Sequence, residues 1–350
     1  MFTPHALAPE TAALDRLCVR LRDRAAETAA IGPWQSGSFT TLAEVGCLAG
    51  FLPLDAGGTA ATEAARLSAL TEIAGNCLTT ALALSQWAAA CRIIEAGDAA
   101  IRTAWLPPLA RGTAFTTVGI SQLTTSRRHL GQAALMARQD GDGWRIDGEC
   151  PWVTGADSVG TIVTGAATAD GGQRFFIVET AAPGLTVEPP LEMLALSGSR
   201  TSAVHFVGVR PAAIIAPADR DGPRTGGLAT TALAVGSTRA SLATLTAEAT
   251  RRADLMPIAE QVAADVDALA ARLAEAARIG IDREDRDRLR ADANGLVIRA
   301  AQAALVACKG AGFVRGHPVE RLVRESMFFL VWSCPQAVTH AVMCDLMGTN

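Results

Sequence analysis

The segment that decides the fold reads Gly-Trp-Arg-Ile-Asp-Gly-Glu-Cys-Pro-Trp-Val-Thr-Gly-Ala-Asp, from Gly143 to Asp157. Trp144 and Ile146 alternate with polar residues before Asp147-Gly148, the pattern of a half-buried strand that enters a hairpin turn. Further short apolar runs, each bounded by Gly or Pro, lie at 159–166, 174–179, 186–188 and 203–207. Short strands at this spacing predict a small antiparallel β-barrel or sandwich.

The sequence before these strands is predicted to be helical. Leu14, Leu17 and Leu21 recur at helical spacing with charged residues between them. The predicted helices cover 11–29, 42–51, 61–74, 79–95 and 99–106. The fourth is almost wholly apolar, which indicates a helix buried on most sides. Pro107-Pro108 is expected to stop the last one.

The sequence after the strands predicts four more helices, at 227–252, 258–278, 284–309 and 318–347. The last is broken at Cys334-Pro335, because proline has no amide to donate. The alternating charges from Asp282 to Arg290 are typical of a solvated helix start with internal ion pairs. Helices of this length with short connections predict an antiparallel four-helix bundle. The predicted domains are an N-terminal helical domain (1–114), a central β domain (115–222) and a C-terminal helix bundle (223–350).

The composition excludes several classes of function. The chain has 350 residues, 49% of them hydrophobic, and a net charge of −4, so no basic patch for nucleic acid is indicated. It has no apolar run long enough to span a membrane and no secretory leader at its N-terminus, which predicts a cytoplasmic protein. Its eight scattered cysteines contain no CxxC pair, so reduced core thiols are expected, with no metal site.

Six motifs, in order along the chain, carry a family resemblance. They are Leu42-(x)3-Gly46-(x)6-Pro53-(x)3-Gly57-Gly58; Trp152-Val153-Thr154-Gly155-Ala156; Pro183-Gly184; Leu196-Ser197-Gly198-Ser199-Arg200-Thr201; Val207-(x)3-Pro211; and Gly310-(x)-Gly312-Phe313-(x)4-Pro318-Val319-Glu320-Arg321-(x)2-Arg324-Glu325. With these motifs and this order of domains, nearly the whole chain resembles the acyl-CoA dehydrogenase family. The resemblance implies the three-part α+β fold and an FAD site between the β domain and the bundle.

The resemblance also implies residues for the flavin ring. Trp152 offers a flat apolar surface to the ring, and the hydroxyl of Thr154 is expected to bond the flavin N5. A second ring segment of the family corresponds here to Ser121, Gln122 and Thr124, which are either flavin ligands or surface polar residues after a strand.

Charged and glycine residues are implied at the phosphate and substrate ends of the site. Arg127 and Arg128 follow the second ring segment and are predicted to contact substrate or a phosphate. Arg251 is expected at the pyrophosphate, with Gly310 and Gly312 at the turn beside it. The first glycine of that family turn is replaced by Lys309.

The family's catalytic base is missing. Most members place a glutamate where this chain has Ser333, and a serine hydroxyl cannot remove an α-proton at neutral pH without a base of its own. Three interpretations stay open. They are an FAD-dependent oxidoreductase on an acyl thioester of CoA or a carrier protein, with its base elsewhere; a flavin monooxygenase or elimination enzyme; and a non-catalytic member. A homo-dimer or homo-tetramer is expected, or a hetero-oligomer with a catalytic homologue.

Overall fold

Six helices precede the first strand in the part of the chain that the structure describes. The computed structural model describes residues 11–29, 36–124, 134–215, 227–332 and 334–349. The helices are α1 (Thr11–Ala29), α2 (Ser36–Glu44), α3 (Cys47–Gly50), α4 (Glu63–Asn76), α5 (Leu78–Glu95) and α6 (Ala99–Ala110). The helix predicted over 42–51 is divided between α2 and α3, because Gly46 adopts a left-handed conformation with φ 71°.

The prediction that Pro107-Pro108 stops α6 is wrong, since the helix continues to Ala110. The two prolines lie in its last turns, where their carbonyls accept hydrogen bonds from the amides of Arg111 and Thr113. The carbonyls that lose a donor belong to Thr103 and Ala104, which are exposed residues, so solvent can supply the missing hydrogen bonds.

In the described parts of the chain, eight strands form one sheet between the two helical regions. They are β1 (Thr116–Gly119), β2 (Leu135–Asp140), β3 (Gly143–Val153), β4 (Thr161–Thr168), β5 (Gln173–Glu179), β6 (Leu185–Val187), β7 (Ser202–Val209) and β8 (Ala213–Ile215), with the short helix α7 (Ser121–Thr124) after β1. The strand order is β6-β7-β3-β2-β4-β5-β8, and β1 pairs with β4.

The sheet is mixed rather than antiparallel throughout. Both β1 and β2 run parallel to β4, and Thr116 lies opposite Thr161. The sequence pattern located β3 to β7 but not β1, β2 or β8, and it does not show which strands are partners. The predicted order of helices, sheet and helices is confirmed.

The predicted turn at Asp147-Gly148 is also wrong, because β3 runs straight through it. The hairpin turn lies earlier, between Asp140 and Gly143, which face each other at the end of β2 and the start of β3. Gly148 has φ 127° and lies so close to β2 that a β-carbon would be 2.2 Å from the Ala134 carbonyl oxygen. Glycine is required here because the two strands approach closely, not because the chain turns.

Six helices follow the sheet among the described residues. They are α8 (Leu228–Ala249), α9 (Met256–Ile279), α10 (Arg283–Gly312), α11 (Pro318–Ser326), α12 (Phe328–Val331) and α13 (Gln336–Met347). The predicted break at Cys334-Pro335 is confirmed, since it separates α12 from α13. The predicted boundary at 114/115 lies between α6 and β1, and that at 222/223 lies outside the described residues, so the division into three domains stays a prediction.

The sequence predicts neither the backbone conformation of Lys309 nor the burial of Arg290, which both lie in α10. Lys309 has φ 54° and ψ −148° inside the helix, a conformation that only glycine adopts easily. Arg290 is 1% exposed, although the charge alternation predicts a solvated segment. The earlier part of that segment is exposed as expected, with Arg288 paired to Glu284 at 2.9 Å.

One apolar core joins the three regions. It includes Trp87 of α5, Val163 of β4 and Leu233 of α8, and a second core fills the sheet around Ile146 and Phe206. The thiols of Cys47, Cys91 and Cys150 lie within these cores, so these three cysteines are core residues, as the sequence predicts. The described residues form no helix that is both long and apolar enough to cross a membrane.

Candidate active site

A cavity of about 760 Å³ opens where the helices meet the sheet. It lies between α5, the ends of β1 and β3, the loop at 191–195, the start of α8 and the segment from Arg324 to Trp332. Its volume is within the range of small-molecule and cofactor sites. Each of the three parts of the fold therefore contributes to one cavity.

Three aromatic side chains give the cavity flat apolar walls. Trp152 stands at the end of β3 and is 41% exposed. Phe328 and Trp332 are stacked, with ring centroids 5.2 Å apart and an angle of 26° between the ring planes. Such walls suit a planar ring system.

The segment that carries Phe328 and Trp332 accepts hydrogen bonds from two buried side chains of α10. Asn294 donates to the Phe329 carbonyl oxygen at 2.7 Å, and Arg290 donates from Nη2 to the Trp332 carbonyl oxygen at 2.9 Å. Arg290 also donates from Nε to Asn294 Oδ1 at 3.0 Å, while its Nη1 has no partner among the described residues. Burial lowers the pKa of Arg290 to about 10, partly opposed by the neighbouring Cys334 thiol.

The loop at 191–195 forms the opposite rim and is also fixed by hydrogen bonds. The Leu191 amide donates to the Thr201 carbonyl oxygen at 2.9 Å, and the Met193 amide donates to Ser197 Oγ at 3.0 Å. Arg324 donates from Nη1 to the Leu194 carbonyl oxygen at 3.0 Å. These hydrogen bonds tie the rim loop to the segment before β7 and to α11.

Two of the predicted cofactor residues line this cavity, Ser121 and Trp152. Gln122 is buried, and its amide is used within the protein: Nε2 donates to the Gly165 carbonyl oxygen at 2.9 Å, and Oε1 accepts from Cys150 Sγ at 2.9 Å. Thr154 is also buried, and its hydroxyl lies 3.3 Å from that of Thr201. Neither side chain is among those that line the cavity.

The residues predicted for the phosphate end are not brought to the cavity. The side chain of Arg251 is 77% exposed and lies 3.4 Å from Glu248 Oε1. Gly310 and Gly312 lie at the end of α10, and neither lines the cavity. Arg127, Arg128, Ser333 and the side chain of Thr124 lie outside the described residues.

Sequence reasoning missed two charged residues of the cavity, Arg92 on α5 and Glu192 on the rim loop. Glu192 is the one carboxylate among the described residues that line it. Its sequence context gives no signal for a site. Arg92 could have been found, because it continues a polar stripe through an otherwise apolar helix.

Glu325 follows the cavity residue Arg324 in sequence but does not line the cavity. Its carboxylate is buried and accepts from Arg321 Nη1 at 3.1 Å, while Arg324 pairs with Glu320 at 2.6 Å. Burial raises the pKa of Glu325, and the charges of Arg321 and Arg324 oppose that rise. No cluster of three or more His, Cys, Asp or Glu side chains in the described chain is arranged to hold a metal.

Residues 13–113 match the family model described as "Acyl-CoA dehydrogenase, N-terminal domain". Over 190 residues the chain is 28% identical to the probable acyl-CoA dehydrogenase YngJ of Bacillus subtilis (strain 168). The aligned region covers 52% of this chain and 50% of that protein. The chain thus aligns with about half the length of the curated relatives it matches.

Two solved structures resemble the whole chain. Butyryl-CoA dehydrogenase from Megasphaera elsdenii has a TM-score of 0.84 at 18% identity, covering 99% of this chain and 100% of that one. KijD3, solved in complex with FMN and a dTDP-linked amino-keto sugar, has a TM-score of 0.79 at 22% identity. The match covers 100% of this chain and 95% of that one. At these identities the structural similarity shows the fold.

Proposed function

We propose that the chain is a member of the acyl-CoA dehydrogenase family and a flavin-dependent oxidoreductase acting on an acyl thioester of coenzyme A or of a carrier protein. The observation that carries the proposal is the cavity lined by Trp152 and by the stacked Phe328 and Trp332. These residues would hold a flat ring between apolar surfaces. A bound flavin supplies a hydride acceptor.

FAD is the proposed flavin. The residues expected at its pyrophosphate, Arg251, Gly310 and Gly312, do not line the cavity, and Arg251 is paired with Glu248. The FMN bound to KijD3 makes FMN the competing candidate. Chromatography of the flavin released from purified protein distinguishes the two.

A base is required to remove the α-proton of an acyl thioester. Among the described cavity residues, Glu192 is the carboxylate that is present, and no arginine or hydrogen-bond donor of the described chain pairs with it. Its backbone neighbours, Leu191 and Met193, are both hydrogen-bonded. We therefore assign proton removal to Glu192.

The second candidate is the family branch in which the flavin handles oxygen or a leaving group. Ser333 at the usual glutamate position favours it, because that chemistry does not require the same base. A non-catalytic scaffold is the third candidate, and it requires no flavin.

Anaerobic titration with acyl-CoA tests these candidates. We expect loss of the flavin absorbance in the wild-type protein, and a Glu192→Gln variant that keeps its flavin but is bleached about a hundredfold or more slowly. Flavin that stays oxidised under anaerobic acyl-CoA contradicts the proposal and favours the second candidate. Equal bleaching rates in both proteins remove Glu192 from the mechanism.

Association into a homo-dimer or homo-tetramer is part of the proposal, with a hetero-oligomer containing a catalytic homologue as the alternative. Large apolar side chains are exposed in the C-terminal region, among them Val306 of α10 (74%), Phe313 just after α10 (80%) and Met347 of α13 (75%). Exposed apolar residues of this kind indicate a protein interface. Light scattering of the purified chain measures the number of subunits.

A further inference from the structure

From Leu78 to Arg92, helix α5 is buried except along one stripe that lines the cavity. From Leu78 to Arg92, the residues of α5 that are not buried are Ser85, Gln86, Ala89 and Arg92. All four line the cavity. Residues at this spacing share one face of a helix, so the exposure of Arg92 is exposure towards the cavity.

The guanidinium of Arg92 has no partner in the described part of the chain: no carboxylate lies within 4.0 Å and no hydrogen bond is formed. Arg324, the other arginine of the cavity, differs in this respect. It pairs with Glu320 at 2.6 Å and donates to the Leu194 carbonyl oxygen at 3.0 Å. The charge of Arg324 is therefore used to hold the rim, while that of Arg92 is available to a ligand.

The surroundings of Arg92 favour binding of an anion. Apolar side chains such as Ala89, Leu330 and Val331 line the same cavity. A charge interacts more strongly beside apolar surface than in bulk water, because the local dielectric is lower. The planar guanidinium fork matches the two oxygens of a carboxylate or a phosphate.

We propose that Arg92 binds an anionic group of the ligand, either a carboxylate on the acyl chain or a phosphate of the thioester carrier. The inference rests on the proposed function, since it names the class of acyl thioester that the cavity selects. Ser85 and Gln86 extend the polar stripe along the same face, with Gln86 Nε2 donating to Ser85 Oγ at 3.0 Å. The polar side of the ligand therefore lies along α5 and its apolar side against the aromatic residues.

Four thioesters separate the two sources of negative charge. Adipoyl-CoA and hexanoyl-CoA differ by a terminal carboxylate, and the N-acetylcysteamine thioesters of the same two acids carry no phosphate. Dissociation constants are measured by calorimetry for the wild-type protein, Arg92→Gln and Arg92→Lys. Glu95→Gln, on α5 outside the cavity, and Arg111→Gln, which removes one exposed positive charge at the end of α6, serve as controls.

If the anion is the carboxylate, wild-type protein binds the adipoyl thioesters more tightly, and Arg92→Gln weakens them about tenfold to a hundredfold while hexanoyl affinity is unchanged. If it is the phosphate, Arg92→Gln weakens both CoA thioesters by that factor and neither phosphate-free thioester. In either case Arg92→Lys retains part of the affinity, because it keeps the positive charge but loses the planar fork, and both controls behave as wild type.

An Arg92→Gln variant that binds all four thioesters as the wild type does overturns the inference and leaves the proposed function standing. Wild-type protein that binds none of the four contradicts the proposed function, and the inference with it. Circular dichroism confirms that the variant is folded, which is expected because Arg92 is not buried.

Discussion

The side-chain amide of Asn294 donates a hydrogen bond to the carbonyl oxygen of Phe329 at 2.7 Å, and both residues are 0% exposed. Through this contact α10 supports the segment whose Phe328 and Trp332 face the cavity. The buried guanidinium of Arg290 depends on the same residue, because its Nε donates to Asn294 Oδ1.

Asn294→Ala is expected to lower the free energy of unfolding by about 2–4 kcal/mol. The substitution removes two buried hydrogen bonds and leaves the Phe329 carbonyl and one side of the Arg290 guanidinium unpaired, at about 1–3 kcal/mol for each buried group. Urea unfolding measures the loss. Gln302→Ala, at an exposed amide of the same helix, is the control and should stay within about 0.5 kcal/mol of wild type. A loss no larger than that of the control would show that the buried network is not needed.

Glu325→Gln is expected to remove a pH dependence of stability. Burial raises the pKa of Glu325 above its ordinary value of 4.5, so proton binding favours the folded state. Its ionised form therefore reduces stability at neutral pH, and that cost declines as the pH falls through the raised pKa towards 4.5. Urea unfolding of both proteins is measured from neutral to mildly acidic pH. As the pH falls, the free energy of unfolding of the wild type should rise relative to that of the variant. A constant difference between them contradicts the assignment.

Lys309→Gly is expected to stabilise the protein by roughly 1 kcal/mol. The φ of 54° and ψ of −148° at Lys309 cost a residue with a β-carbon about 1–3 kcal/mol. The greater freedom of glycine in the unfolded chain offsets about 0.4–1 kcal/mol of the gain. Lys309→Ala removes the charge but keeps the β-carbon, so it should give no comparable gain. Thermal unfolding compares the three proteins, and a lower midpoint for the glycine variant would show that the lysine is not strained.

Trp152→Leu is expected to weaken flavin binding about tenfold. Aromatic contact contributes about 0.5–1.5 kcal/mol beyond burial of area. Trp144→Leu is the control, since Trp144 lies on the same strand but packs against Phe176 and Arg174 away from the cavity. Fluorescence titration with FAD measures both affinities. Equal weakening in the two variants would assign the effect to the strand rather than to the cavity.

Much of the fold could be predicted from the sequence because helices and strands depend on local patterns. The bounds of α1 and the break at Cys334-Pro335 follow from apolar spacing and from proline chemistry. The parallel pairing of β1 with β4 could not be predicted, since Thr116 and Thr161 meet only through the topology of the sheet.

The candidate site was predicted less well, because the direction of a side chain depends on its tertiary neighbours. Trp152 follows from its motif and lines the cavity. Gln122 has an equally suitable side chain, yet it bonds to Gly165 and Cys150, which lie far along the chain. The burial of Arg290 is likewise invisible in a run of alternating charges.

The most direct test of the central claim is the visible absorbance spectrum of freshly purified protein, followed by titration with FAD. The cavity beside Trp152 predicts flavin bands in the spectrum, or saturable binding of about one flavin per chain on addition. Protein that is colourless as purified and that binds neither FAD nor FMN would contradict the claim.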